Sequence, residues 1–325
     1  MKRFRGALLV TSMLLLFLSG CSGKTKAAEE LRVGALKGPT TMGLLNLADD
    51  VENKKINLAD SFSLEMAAGA DELLPKMVSG DLDIALVPAN VAAVLYNKTQ
   101  GKIKVIDINT LGVLYALSAD ESINSIEDIK GKTVYMTGKG TTPEYVFTYL
   151  LDAYGVSKDD ISIEFKSEPT EVAAVLKEDP DAVAILPQPF ATACMMQNEA
   201  LSIRFDLTKV WDENPKGDGS RLVTGVTVVR SDYLNENEET VKKFMEAHKA
   251  SAQKANSDVE KTAELVAQYG IIEKAPLAQK AIPFCNITYI DKDEMKNILK
   301  GYLNVLYEQD PASVGGALPG EDFYY

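Results

Sequence analysis

Histidine is almost missing from this sequence: His248 is the only one in 325 residues. Cysteine is scarce too, with three residues, Cys21, Cys194 and Cys285. These shortages exclude whole classes of chemistry. No Ser/His/Asp or Cys/His set can be drawn, because nothing places His248 beside a nucleophile. There is no CxxC, no HExxH and no EF-hand-like loop. Neither a metal nor a cofactor is expected. The stretch Gly138-Lys139-Gly140-Thr141-Thr142 lacks the GxxxxGK[ST] spacing of a nucleotide-binding loop. Runs of Lys or Arg are also lacking, and the formal net charge is −13. Nucleic acid is therefore excluded as a partner, since phosphate binding needs a basic face. His248 sits within the strongly helical "KKFMEAHKASAQKAN" and is expected to face solvent.

What is present is an ordinary globular composition, 46% apolar and 25% charged residues, enough for a substantial core. The length suits one large domain or two compact lobes. The first twenty residues read as a leader rather than fold. Lys2, Arg3 and Arg5 precede the apolar "ALLVTSMLLLFL", which has the length of a signal-peptide core and is short for a membrane span. Leu18-Ser19-Gly20-Cys21 resembles a bacterial lipobox, in which the cysteine is acylated and the chain is cut before it. Residues 21–30 are small and polar, as a tether should be. Cleavage would move the net charge from −13 to −16. Cys194 and Cys285 would then remain, to pair in an oxidising compartment or to stand as two separate buried thiols, the favoured reading.

After the tether, short apolar runs alternate with helical patterns. "LRVGAL", "FSLEMA", "DIALVP", "KTVYMT", "ISIEFK" and "AVAILP" read as strands. "TMGLLNLADDVEN", "ADELLPKMVSG", "PEYVFTYLLDAYG" and "PTEVAAVLKED" read as helices with apolar spacing near 3.6. The alternation predicts an α/β fold. Two longer strand-like stretches, 102–118 and 221–231, carry a glycine mid-run (Gly112, Gly225), where a strand passing between lobes would bend. From 232 the chain is nearly all helical.

One turn occurs twice. Lys37-Gly38-Pro39-Thr40-Thr41 and Lys139-Gly140-Thr141-Thr142 each follow a strand and open a helix. "DIALVPANVAAV" and "AVAILPQPFATA" recur in the same order, aligning Pro88 with Pro187. Ordered recurrence of two unlike pieces predicts two related lobes. Gly-rich turns leave the next helix's first N–H groups uncovered, favouring a negative or strongly accepting group. Thr40, Thr41, Thr141 and Thr142 add hydroxyls there, or serve simply as caps. Asn90 and Gln188 offer side-chain amides at the second pair of turns. Tyr115 and Tyr145 supply an apolar wall with a polar tip, or core packing. Glu144 is expected to cap its own helix.

Together the lipobox, the turns "KGPTT" and "GKGTTPEY", and "GDLDIALVPANVAAVLYNK" resemble substrate-binding lipoproteins of ABC importers. The resemblance is to the type II periplasmic-binding-protein fold, in the branch that includes nitrate, sulfonate/taurine and thiamine-precursor binders. It implies an α/β clamp, each lobe a mixed sheet flanked by helices, joined by two crossing strands. Residues 31–112 and 223–325 would form lobe one, and 113–222 lobe two. It implies no enzymatic activity. A small polar or weakly anionic molecule would be held by Gly38, Pro39, Thr40, Thr41, Asn90, Thr141, Thr142 and Gln188. It would be delivered to an ABC permease with a cytoplasmic ATPase. The protein would act as a monomer, lipid-anchored through Cys21 at the outer face of the cytoplasmic membrane, or on the periplasmic side in a Gram-negative cell. An enzyme on the same fold, of the pyrimidine- or menaquinone-pathway type, and a ligand-presenting sensor lipoprotein are the alternatives. The leader and the single histidine weigh against the enzyme.

Overall fold

The computed structural model describes residues 29–214, 217 and 219–325. The leader, Cys21 and nearly all of the tether lie outside the described residues. No helix among the described residues is long and apolar enough to cross a membrane.

The apolar runs form two mixed sheets. The first is built from β1 (Glu30–Leu36), β2 (Ser61–Ala67), β3 (Ile84–Pro88) and β4 (Ile103–Leu111). The second holds β5 (Leu114–Ser118), β6 (Thr133–Met136), β7 (Ser162–Phe165), β8 (Val183–Pro187) and β9 (Ser202–Asp206). The chain then returns to the first sheet as β10 (Val223–Arg230) and β11 (Ile287–Ile290). The spatial orders are β11-β4-β10-β3-β1-β2 and β7-β6-β8-β5-β9. In the first, β1 lies parallel between β2 and β3, and β10 runs antiparallel beside β3. In the second, β6 lies parallel between β7 and β8, and β5 runs antiparallel beside β8. The duplicated turns thus belong to a duplicated topology. Even the register agrees: Pro88 pairs with Gly225, and Pro187 with Leu114.

The chain passes between the sheets twice. At the first passage Gly112 and Val113 separate β4 from β5, so the 102–118 run is two strands with its glycine at the crossing. A side chain at Gly112 would lie 2.3 Å from Thr208 Oγ1 and 2.5 Å from Leu222 Cδ2, both on the return passage. The two crossings touch there, and only a glycine admits the contact. At the second passage the expectation needs correction. β10 lies wholly in the first sheet, and the crossing precedes it, through the helix Leu207–Asp212 and on to Leu222. Gly225 is no inter-lobe bend. A Cβ there would meet Thr40 Cγ2 at 2.3 Å and Asn109 Oδ1 at 2.4 Å.

The helix expected across 41–53 is also broken, into Pro39–Met42 and Leu45–Glu52. The Ser251 hydroxyl occupies the break, donating to Gly43 O at 2.6 Å and accepting from Leu47 N at 2.9 Å. Gly43 faces Ile287 so closely that a Cβ would sit 2.9 Å from its Cγ2.

His248 is not solvent-facing. It is 0% exposed on the helix Glu238–Ser257, in the stripe Val241, Phe244, His248, Ala252, Ala255 that packs on the first sheet. Its Nδ1 lies 3.3 Å from Asp107 Oδ2 on β4. Asp107 also accepts from Thr227 Oγ1 at 2.8 Å, which in turn accepts from Asn109 Nδ2 at 3.1 Å. Buried polar groups persist when bonded in this way.

The long C-terminal helix Lys292–Gln309 packs on both halves, against the helices Ala89–Thr99 and Thr142–Ala153. One continuous apolar cluster therefore runs from Val105 and Val226 in the first sheet, through Tyr302, to Phe147 and Trp211 in the second half.

Candidate functional site

Asp83 and Pro88 bracket the D-x-A-x-x-P segment, and they have separate tasks. Asp83 is sealed beneath β1, where Arg32 grips it through Nε (2.9 Å) and Nη2 (2.7 Å). The Arg32 backbone N–H adds a third bond at 2.9 Å. That lock fixes where β3 ends, and so where Pro88 and the following helix begin. Pro88 reaches a cavity of about 390 Å³ between the sheets. Its counterpart Pro187 reaches the same cavity from β8. The site lies at the carboxyl ends of parallel strands, where open α/β sheets place ligands.

The floor of the cavity is the pair of crossings with the strand starts they lead into, Val113 and Leu114 on one, Leu222, Val223 and Thr224 on the other. Asn90 stands on the first-lobe side, and Thr141, Thr142, Pro143 and Val146 on the second. Tyr302, from the C-terminal helix, closes it. Larger hollows of about 700 and 780 Å³ lie elsewhere, the first walled by 48–64 with Tyr269 and the second by 77–103 with 230–235. Neither joins the two halves.

The wall is chiefly apolar. Asn90 Nδ2 is engaged with Ser313 O at 3.3 Å. The Thr141 hydroxyl donates to Gly138 O at 2.6 Å, closing its own turn. Glu144 Oε2 accepts from Gly140 N at 2.5 Å, the capping role expected of it. Lys139 is drawn off over the Phe165 ring, 5.8 Å from its centroid. No charged side chain lines the cavity among the described residues.

The structure thus gathers Asn90, Thr141 and Thr142 at one cavity. The other candidates lie elsewhere. Thr41 is wholly buried, its hydroxyl donating to Leu36 O. Thr40 is buried against Gly225. Gly38 and Pro39 are not in the cavity wall. Gln188 is 3% exposed, and its Oε1 accepts from Thr192 Oγ1 at 2.8 Å. Tyr115 is buried and donates to Phe284 O at 2.7 Å. The Tyr145 hydroxyl lies 2.8 Å from Gly140 O and 2.9 Å from Asp310 Oδ2. It ties the second turn to the C-terminal segment. Burial, helped by Asp310, raises its pKa.

Sequence reading missed Tyr302 and the residues at and just after the crossings, Val113, Leu114 and Leu222 to Thr224. The two crossings are signalled by Gly112 and by the apolar run at 222–223. Nothing local marks Tyr302, which arrives on the C-terminal helix, far in sequence from the rest of the wall. Its ring stands 5.7 Å from that of Trp211, itself 4.7 Å from Tyr149. The indole N–H of Trp211 is held by Ser220 O at 3.2 Å. Cys194 and Cys285 are free and buried, as expected. Burial pushes the Cys285 thiol up to about 12, which makes it unreactive.

Two mixed sheets with equivalent strand orders, joined by two crossings around a cavity, define the periplasmic-binding-protein class of fold. The comparisons agree. The family described as NMT1/THI5 like matches residues 100–261. An ABC transporter from Parabacteroides distasonis of known structure is 25% identical and superposes with a TM-score of 0.75, covering 91% of this chain and 98% of that one. The periplasmic aliphatic sulphonate binding protein of Escherichia coli is 17% identical, with a TM-score of 0.71 over 91% and 92% of the two chains. The periplasmic nitrate-binding protein of Synechocystis PCC 6803 is 14% identical, with a TM-score of 0.54 over 82% and 75%. A Brucella abortus relative, provisionally named a binding protein, is 23% identical over 203 residues. That match spans 62% of this chain and 60% of the relative's length. The resemblance to ABC-importer binding proteins of this fold is borne out.

Proposed function

We propose that this protein is the extracytoplasmic solute-binding component of an ABC importer, tethered by a lipid on Cys21. It captures a small molecule between lobes comprising 31–112 with 223–325, and 113–222, and hands it to a permease driven by a cytoplasmic ATPase. The observation that carries this reading is the cavity itself. Its walls come from both halves and its floor is the pair of crossings. Any change in the angle between lobes therefore changes the site, and a ligand that prefers one angle selects it. Among the described residues the lining offers walls and hydrogen-bonding tips but no His, Cys, Asp, Glu or Lys to serve as nucleophile or base. That suits retention of a molecule unchanged. Of the proteins it resembles, one is named an ABC transporter and others are named binding proteins.

A thermal-shift screen of the purified chain against a broad metabolite library tests the reading. A ligand that binds only the folded state raises the melting temperature, by mass action. We expect at least one small metabolite to do so and to be recovered intact by mass spectrometry. A chain that no metabolite stabilises, or that converts the bound compound, overturns the proposal.

A further inference from the structure

We propose that the ligand of this cavity is an uncharged, mainly apolar molecule carrying a hydrogen-bond acceptor, and that the Tyr302 hydroxyl donates to that acceptor. The inference rests on the solute-binding reading above and narrows it to a class of solute.

The first support is the chemistry of the wall. Pro88, Val113, Leu114, Val146, Pro187 and Leu222 make it apolar on every side. Surface of that kind binds by removing apolar area from water. An anion placed there would lose its hydration without gaining a counter-charge, because the nearby cation of the second turn, Lys139, lies over Phe165. The amides at the start of the helix Thr142–Ala153 are offset by Glu144 in its first turn, whose carboxylate, bonded to Gly140 N, puts a negative charge beside them.

The second support is independent of the first. Tyr302 is 1% exposed, lines the cavity, and its hydroxyl makes no hydrogen bond to any described residue. A phenol buried to that degree almost always has a partner. Trp211 beside it is fully satisfied by Ser220, and the other two buried tyrosines among the described residues, Tyr115 and Tyr233, donate to Phe284 O and Glu30 O. Of the three, Tyr302 is the exception, and it is the one at the cavity. Burial also raises its pKa, so it stays a neutral donor at physiological pH. A donor waiting in an apolar wall fits a carbonyl, an ether or a ring nitrogen. The hydroxyls of Thr142 and Thr224, likewise unbonded within the described residues, give the ligand a second polar point. The volume, about 390 Å³, is near the lower end of small-molecule sites, so the solute is compact.

Two probes of one shape separate the possibilities: benzamide, neutral with an acceptor carbonyl, and benzenesulfonate, an anion on the same ring. Each is titrated against the full chain by ligand-observed NMR. We expect benzamide to bind and benzenesulfonate to bind at least tenfold more weakly. Nuclear Overhauser contacts should run from the benzamide ring to the Val146 and Leu114 methyl groups. Tyr302→Phe, which keeps the ring and removes the hydroxyl, should weaken benzamide about 5- to 10-fold, the worth of one neutral hydrogen bond. Should that variant not fold, the contacts in the unaltered chain decide the matter. Equal or tighter binding of benzenesulfonate, absence of the contacts, absence of benzamide binding, or an unchanged affinity in Tyr302→Phe each overturns the proposal. The solute-binding reading fails separately. An anionic metabolite that stabilises the chain in the library screen would refute the solute class and leave that reading intact.

Discussion

At Thr41 the hydroxyl is wholly buried and donates to the Leu36 carbonyl at the inner end of the first turn. At Thr141 it donates to the Gly138 carbonyl in a turn that stands open at the cavity. The two turns are spelled almost alike, and both threonines close their own loop. What differs is what lies on top. The first turn leads into a helix of four residues, Pro39–Met42, stopped where Ser251 and Ile287 press on Gly43. Thr40 is pinned beneath by Gly225. The second leads into an unbroken twelve-residue helix, Thr142–Ala153, with no strand laid across its start. A duplicated turn thus became a core element beside the first sheet and a wall of the cavity beside the second. Local sequence settles the turn, and the packing around it settles its use.

The comparison can be broken most forcefully at Gly225. Gly225→Val drives a side chain into Thr40 and Asn109 and should cost about 3 kcal/mol of unfolding free energy by overpacking. Gly140→Ala, at φ +70 with open space around it, should cost only about 1 kcal/mol, from backbone strain alone. Denaturant melts of the two variants measure the contrast, and equal losses would show that the first turn is no more tightly held than the second.

A smaller difference is expected between the paired threonines. Thr41→Val leaves the Leu36 carbonyl without its buried partner, a loss of about 1–2 kcal/mol. Thr141→Val, at an exposed position, should shift stability by no more than about 0.5 kcal/mol. If Thr141→Val proved the worse of the two, the assignment of core and wall would be reversed.

Smallest in energy, but most telling for function, is Thr142→Ala. It should leave the melting temperature in place and weaken a cavity ligand a few-fold, the scale of one exposed hydrogen bond. Thr40→Ala should do the opposite, lowering stability with the ligand's intrinsic affinity unchanged. Calorimetric titration beside thermal melts on both proteins checks the pair.

Much of the fold was legible because the signals were local. The six short apolar runs became strands, and Gly112 lies at a crossing, because period and punctuation are read within a few residues. β9 and β11 were missed. Each is short, and β11 is defined by its pairing with β4 across a long interval. The break after Met42 was invisible for the same reason, since the Ser251 hydroxyl that fills it is about two hundred residues away. His248 is a different kind of miss. It stands at helical spacing with Val241, Phe244, Ala252 and Ala255, so the stripe that buries it was in the sequence. Asn90, Thr141 and Thr142 come to the cavity together because they start helices after strands, which is a local fact. Tyr302 comes there only because a distant helix is laid across both lobes.

Trp211 is the chain's single tryptophan, and it rides on the return crossing with Tyr302 in van der Waals range of its ring system. The molecule is therefore supplied with its own optical gauge. Indole emission depends on nearby rings, on the hydrogen bond to Ser220 and on access of water. All three change if the Lys292–Gln309 helix moves relative to the helix Leu207–Asp212. Filling or opening of the cavity can be followed in real time by fluorescence, with no label attached and no residue altered.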